Sequence, residues 1–175
     1  MGSAIWEKGE KMFKRLIDAN AYNVEDIASY LINKSLEMHV PLNNFRLQSM
    51  LYFVQAESLA SKGKPLFDDD FLAYDWGVGI PTVYQKYSVY AGSSIFSSRY
   101  STDFSPYVSD LEMIDRVLES YARYSGVTIL EIIRNQKPWQ TAYKYNRNGF
   151  HTKISKELLS SAKRRARREF KKEEE

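Results

Sequence analysis

The feature that most constrains this chain is the run from Asn43 to Pro65. Asn43 or Asn44 can cap a helix, and Leu47, Met50, Leu51, Val54 and Leu59 then recur at helical spacing until Gly63 and Pro65 stop it. Tyr52 and Phe53 widen the apolar surface beyond a single stripe. A helix of that kind is contacted from several sides, so it belongs at the centre of the fold.

Other helices must therefore surround it, and the sequence marks them. Asn23 precedes Val24, Ile27, Ala28, Leu31 and Ile32, one buried stripe that ends before Pro41. Ser109 with Glu112, and Thr128 with Glu131, both read as capping boxes, with Val108 and Met113, then Val127 and Ile132, as staples. These predict a helix to about Tyr124, burying Leu111, Ile114, Val117, Leu118 and Tyr121 and ending at Gly126. A shorter helix carrying Ile129, Ile132 and Ile133 follows. Pro81 sits where a first helical residue would be, with Val83, Tyr84 and Tyr87 on one side, and Pro138 opens another turn with Trp139. Ser155 can cap a last helix with Leu158, Leu159 and Ala162, after turn chemistry at Asn146 to Gly149. Phe71 to Trp76 is short and aromatic and reads as a strand or extended segment, with a turn allowed at Gly79; Ala91 to Pro106 reads as a loop. The expected fold is mainly α, a compact single-domain bundle of about six or seven helices with at most a small β element. Its expected divisions are an N-terminal arm or helix over 1–22 (Trp6 to Asp18 at its heart), a helical domain over 23–160, and a basic helix or tail over 161–175.

At 175 residues the chain can bury a core without disulfides or metals, and it contains no Cys. Disulfides, thiol nucleophiles and thiolate zinc sites are excluded. No apolar run is long enough to span a membrane and no secretory leader is visible, so a cytoplasmic location is expected. The formal charge of +3 equals the excess of Lys163, Arg164, Arg165, Arg167, Arg168, Lys171 and Lys172 over Glu169, Glu173, Glu174 and Glu175. The body is formally neutral. Nucleic-acid contact is an open reading for the tail, through Arg164, Arg165, Arg167 and Arg168.

Residues that could carry chemistry are sparse. His39 and His151 lack a second ligand at metal spacing, and no nucleophile-elbow serine is present. Asp68-Asp69-Asp70 and Asp75 read as a solvated turn, because the later ligands of a calcium loop are missing. Gly77-Val78-Gly79 is too short for a phosphate-binding loop, so both glycines are read as serving backbone geometry. No cofactor, metal or enzymatic activity is expected. The 13 tyrosines, many between Tyr74 and Tyr124, instead suit a partner interface, since the ring is apolar and its tip polar.

From Phe45 to Gln55, F-R-L-Q-S-M-L-Y-F-V-Q resembles the helix L-Q-K-L-L-Y-Y-A-Q of the Panacea domain, the SocA-like family of antitoxin and prophage-associated proteins. Leu47, Gln48, Leu51, Tyr52 and Gln55 carry the match. Gly63 to Asp69 resembles the loop that follows in that family. Phe71 to Tyr84 is similar to its F-x-A-W-x-x-G-P-V-x-P-x-V-Y segment at Ala73, Gly77, Pro81, Val83 and Tyr84, and Pro138-Trp139 to its late P-W. Tyr74 stands in place of the usual Trp, and Val78 replaces a proline, which is expected to loosen the turn. The resemblance implies a non-enzymatic, antitoxin-like module that neutralises a partner toxin, or another target protein, by direct contact. Gln48, Gln55, Tyr74, Trp76, Tyr84, Tyr87 and Trp139 are the residues expected to meet that partner. The alternatives are a transcriptional regulator binding nucleic acid through the basic tail, and a phage protein binding a host or defence protein.

Overall fold

The computed structural model describes residues 21–147 and 149–162. The expected N-terminal arm from Trp6 to Asp18, and Arg164, Arg165, Arg167 and Arg168 of the basic tail, lie outside the described residues. Within them, α1 (Val24–Glu37) and α2 (Asn44–Lys62) lead to the hairpin β1 (Phe71–Tyr74) and β2 (Gly77–Gly79). Then come α3 (Pro81–Lys86), a 3-10 turn (Ser88–Tyr90), α4 (Val108–Tyr121), α5 (Gly126–Arg134), α6 (Lys137–Tyr143), β3 (Lys153–Ile154) and α7 (Lys156–Ser160). The fold is mainly α with one small antiparallel sheet, in the order β2-β1-β3. Tyr74 pairs with Gly77 across the hairpin, and Phe71 with Ile154 on the other side. No helix among the described residues is long and apolar enough to cross a membrane.

Local chemistry explains where most elements begin. Asn23, Asn43 and Ser155 each accept a backbone N–H of the first turn that follows. Gly63 ends α2 in the left-handed conformation, at φ 67°. Pro81 occupies the first residue of α3. His39 takes the same role as Gly63 after α1, at φ 59°, with its N–H and that of Val40 returning to Leu36 and Ser35.

The two capping boxes do not start their helices. α4 begins at Val108, and its cap is tertiary: the Tyr107 N–H donates to Tyr22 Oη (3.0 Å), whose hydroxyl donates to Asp110 Oδ2 (2.6 Å). Ser109 lies inside the first turn. α5 begins at Gly126 because Ser125 accepts the Thr128 N–H (3.1 Å), so Gly126 opens α5 rather than closing α4, which ends at Tyr121. Gly79 is not a turn residue either. The turn is Asp75-Trp76, Gly77 carries the positive φ (126°), and Gly79 lies in β2.

α2 is central, as its composition requires. Leu47, Met50, Leu51, Tyr52 and Val54 are fully buried and join the core made with Ile27, Leu31, Phe71, Ile114, Leu118 and Ile133. Its polar residues at i, i+4 and i+7 are buried too. Tyr52 donates to Gln136 Oε1 at 2.8 Å, and burial pushes its phenol well above the ordinary tyrosine range. Gln48 accepts the Ile80 N–H at 2.8 Å. Gln55 accepts the Leu66 N–H (2.7 Å) and donates to the Phe67 carbonyl (2.6 Å).

The loop from Ala91 to Pro106 is held to α1 by its serines. Ser101 donates its N–H to Asp26 Oδ1 (2.6 Å), while the Ser98 hydroxyl bonds those of Ser29 and Tyr87, both at 2.7 Å. Tyr30 on α1 donates to Asp115 on α4 (2.9 Å).

Two predictions follow from these contacts. Leu51→Ala should cost about 2–5 kcal/mol in urea melts through its cavity; Tyr52→Phe should cost about 1–3 kcal/mol, because Gln136 loses its donor in the core. The second concerns alkali. Burial, and then the bond to Asp110, push the Tyr22 phenol up to about 12, and burial and Asp115 raise Tyr30 as well. Groups raised in the folded state contribute fully below the unfolded tyrosine value near 10 and are lost as pH climbs through the folded value. The urea midpoint should therefore be flat in mild alkali and fall from about pH 10 to about 12, with a shallower fall in Tyr22→Phe.

Candidate partner-binding site

The hairpin presents aromatic side chains that stack into one ladder. Tyr74 and Trp76 stack at 4.6 Å between centroids, Trp76 and Tyr84 at 5.1 Å, and His151 packs on the outer side of Tyr74 at 4.3 Å. Tyr74 and Trp76 are half-buried, and Tyr84 is 42% exposed. Tyr74 and Trp76 therefore each have two ring neighbours, which cover much of their surface.

Each rung is placed by a separate device. Trp139 is buried beneath the turn, and its Nε1–H donates to the carbonyls of Tyr74 (3.1 Å) and Gly77 (2.8 Å), clasping both ends of the hairpin. Tyr143 stacks on Trp139 at 4.2 Å and donates to Asp75 Oδ1 at 2.7 Å, while an Arg134 N–H bonds the Asp75 carbonyl. Asn44 donates to the Tyr84 carbonyl (2.9 Å) and accepts from Gln48 (3.1 Å), so α2 sets α3 and with it Tyr84. Asn146 donates to the Ala73 carbonyl and accepts the Thr152 N–H, which brings His151 against Tyr74. Gly79 makes room: a Cβ there would meet Trp76 Cη2 at 2.7 Å. It serves close approach of a ring, whereas Gly77 serves backbone conformation.

Val78 lies in β2 opposite Ala73, so the proline missing from the family pattern falls on a strand residue. The turn before it, where loosening is expected, is bonded on both sides by Trp139 Nε1.

Of the residues expected at a partner surface, Tyr74, Trp76 and Tyr84 come together in the ladder, and Trp139 supports them from below. Gln48 (0% exposed) and Gln55 (1%) are internal struts. Tyr87 is buried, facing Ser98 rather than the ladder. Sequence reasoning missed His151, Asp75, Tyr143 and Arg134. The turn residues at Asn146 to Gly149 signalled that the chain reverses there, but nothing local showed His151 returning to Tyr74. Elsewhere Asp70 is paired with Lys153 (3.0 Å) and Lys156 (3.6 Å), and no group of three potential metal ligands occurs among the described residues.

The profile of the family described as "Antitoxin SocA-like, Panacea domain" matches residues 47–140, from the central helix through the clasping tryptophan. The chain belongs to this family. It is 27% identical over 133 residues to Antitoxin SocA of Caulobacter vibrioides (strain NA1000 / CB15N), a match covering 70% of this chain and 71% of that protein. No solved structure matches it significantly. Three of the family-like residues of α2, Gln48, Tyr52 and Gln55, are the struts that hold the Panacea fold around the ladder.

Gly79→Ala tests the ladder. Its backbone tolerates Ala, so the far-UV spectrum should be unchanged, while the near-UV aromatic signal and tryptophan emission should shift as Trp76 is displaced.

Proposed function

We propose that this chain is an antitoxin that neutralises a partner toxin by direct contact in the cytoplasm, with the ladder of Tyr74, Trp76 and Tyr84 as the contact surface and without turnover of any substrate. The observation that supports the reading is the ladder itself, in a chain that belongs to a family of antitoxin-like proteins and resembles an antitoxin over most of its length. Pre-stacked rings offer contact area while having little side-chain freedom left to lose, which favours association. Phe150, next to His151 in the chain, is 80% exposed.

The test is co-production with the polypeptide encoded beside this chain. That neighbour should arrest growth alone and be harmless in company, and the two should purify as a stoichiometric complex. Trp76→Ala or Tyr84→Ala should weaken the complex by about 2 kcal/mol or more, with Tyr84→Ala leaving the melting temperature nearly unchanged. A neighbour harmless by itself, with no complex formed, would refute the reading. Rescue from a host or defence protein instead would move the same surface to a phage-type inhibitor.

A further inference from the structure

The formal neutrality of the body hides a separation of charge. Between Glu131 and Glu157 stand Arg134, Lys137, Lys144, Arg147, Lys153 and Lys156, with no Asp or Glu among them. Lys153 and Lys156 are spent on Asp70, at the far end of β1. The other four bond the turn itself or stand on or next to segments that pack against the hairpin, and the exposed carboxylate there, Asp75, accepts from Tyr143. Arg134 bonds Asp75 between the rungs and lies over the Trp139 ring (5.6 Å); Lys137 begins α6, which carries that tryptophan. Lys144 follows Tyr143 and lies over Tyr145 (4.9 Å); Arg147 forms the backbone bridge with Phe150 that leads to His151. Among the described residues, Lys137, Lys144 and Arg147 have no carboxylate partner.

We infer that the ladder and this cationic rim together dock an acidic protein surface, one that brings Asp and Glu side chains around an apolar centre. This deepens the toxin-binding reading and rests on it. The rim supplies long-range attraction that steers encounter. The ladder supplies complementary chemistry at short range, because aromatic edges carry the positive part of the ring quadrupole. No side chain among the described residues accepts from Tyr74 Oη, Trp76 Nε1 or Tyr84 Oη, which leaves three donors that a carboxylate could satisfy. A nucleic acid is the poorer match. Its bases bind by stacking on ring faces, and the rungs stand 4.6 and 5.1 Å apart, with no room for a base between them.

The experiment uses the full chain, basic tail included, and the purified product of the adjacent reading frame. Association and dissociation rates are measured at about 50 mM and about 300 mM salt, which shortens the reach of charge. The variant Lys137→Glu/Lys144→Glu/Arg147→Glu should associate about tenfold or more slowly at low salt, with the gap narrowing at high salt. Arg116→Glu/Arg123→Glu, on α4 and just after it, should change little, and Tyr84→Ala should act on dissociation. Neutral replacements, Lys137→Gln/Lys144→Gln/Arg147→Gln, give a smaller loss in the same direction and serve if the reversed variant folds poorly. A complex whose association is indifferent to salt and to both variants would overturn the acidic partner while leaving the antitoxin reading standing. No complex with the wild-type chain would overturn both. An oligothymidylate that displaces the partner from the wild-type face would assign the rim to nucleic acid and overturn the inference.

Discussion

Three buried polar side chains on one stripe of α2 organise this protein. Gln48, Tyr52 and Gln55 are spaced at i, i+4 and i+7, and each bonds a different remote segment: Ile80 at the entry to α3, Gln136 between α5 and α6, and Leu66-Phe67 after α2 itself. A buried amide or phenol left without its partner costs more than the bond contributes when formed. Each bond therefore penalises alternative placements of its segment. Apolar packing around Leu47, Leu51 and Val54 drives the collapse, but such packing is non-directional. The polar stripe supplies direction.

From that stripe the order passes outward to the ladder. Gln48 holds Asn44 and Ile80, Asn44 holds Tyr84, and Trp139 closes the hairpin bearing Tyr74 and Trp76. The rungs are thus set by bonds to backbone atoms rather than by their own exposed tips. A surface built this way keeps its shape when a tip is changed. It also spends its ordering entropy during folding rather than at the moment of binding.

How much of this was legible depends on whether the deciding interaction is local. Asn23, Asn43, Gly63, Pro81 and Ser155 mark helix ends correctly because cap bonds span only a few residues. The boxes at Ser109 and Thr128 misled for opposite reasons. At Ser109 a cap from the distant Tyr22 displaced the local one, and at Thr128 an equally good cap, Ser125, lay three residues earlier. The same logic governs the site. Tyr74, Trp76 and Tyr84 could be read from aromatic clustering beside a glycine turn, whereas His151 joins through contacts far along the chain. Gln48 and Gln55 looked like surface residues because a helical pattern does not show that a polar side chain has a distant backbone partner.

The family boundary runs through the rim rather than between scaffold and surface, since Arg134 and Lys137 lie inside the matched residues. The struts Gln48, Tyr52 and Gln55, the clasp Trp139 and the rungs Tyr74, Trp76 and Tyr84 all lie within the matched residues 47–140. Lys144, Arg147, Phe150 and His151, which finish the rim and cap the ladder, lie after it. That segment is held by backbone-directed bonds from Asn146 and by the pairing of β3 with β1, so its exposed side chains are free of any duty to the core. Charge and shape at the rim can change there without disturbing the stripe that builds the fold. If the rungs and rim meet a partner as proposed, this arrangement lets the later part of the rim vary while the core and the rungs stay as they are.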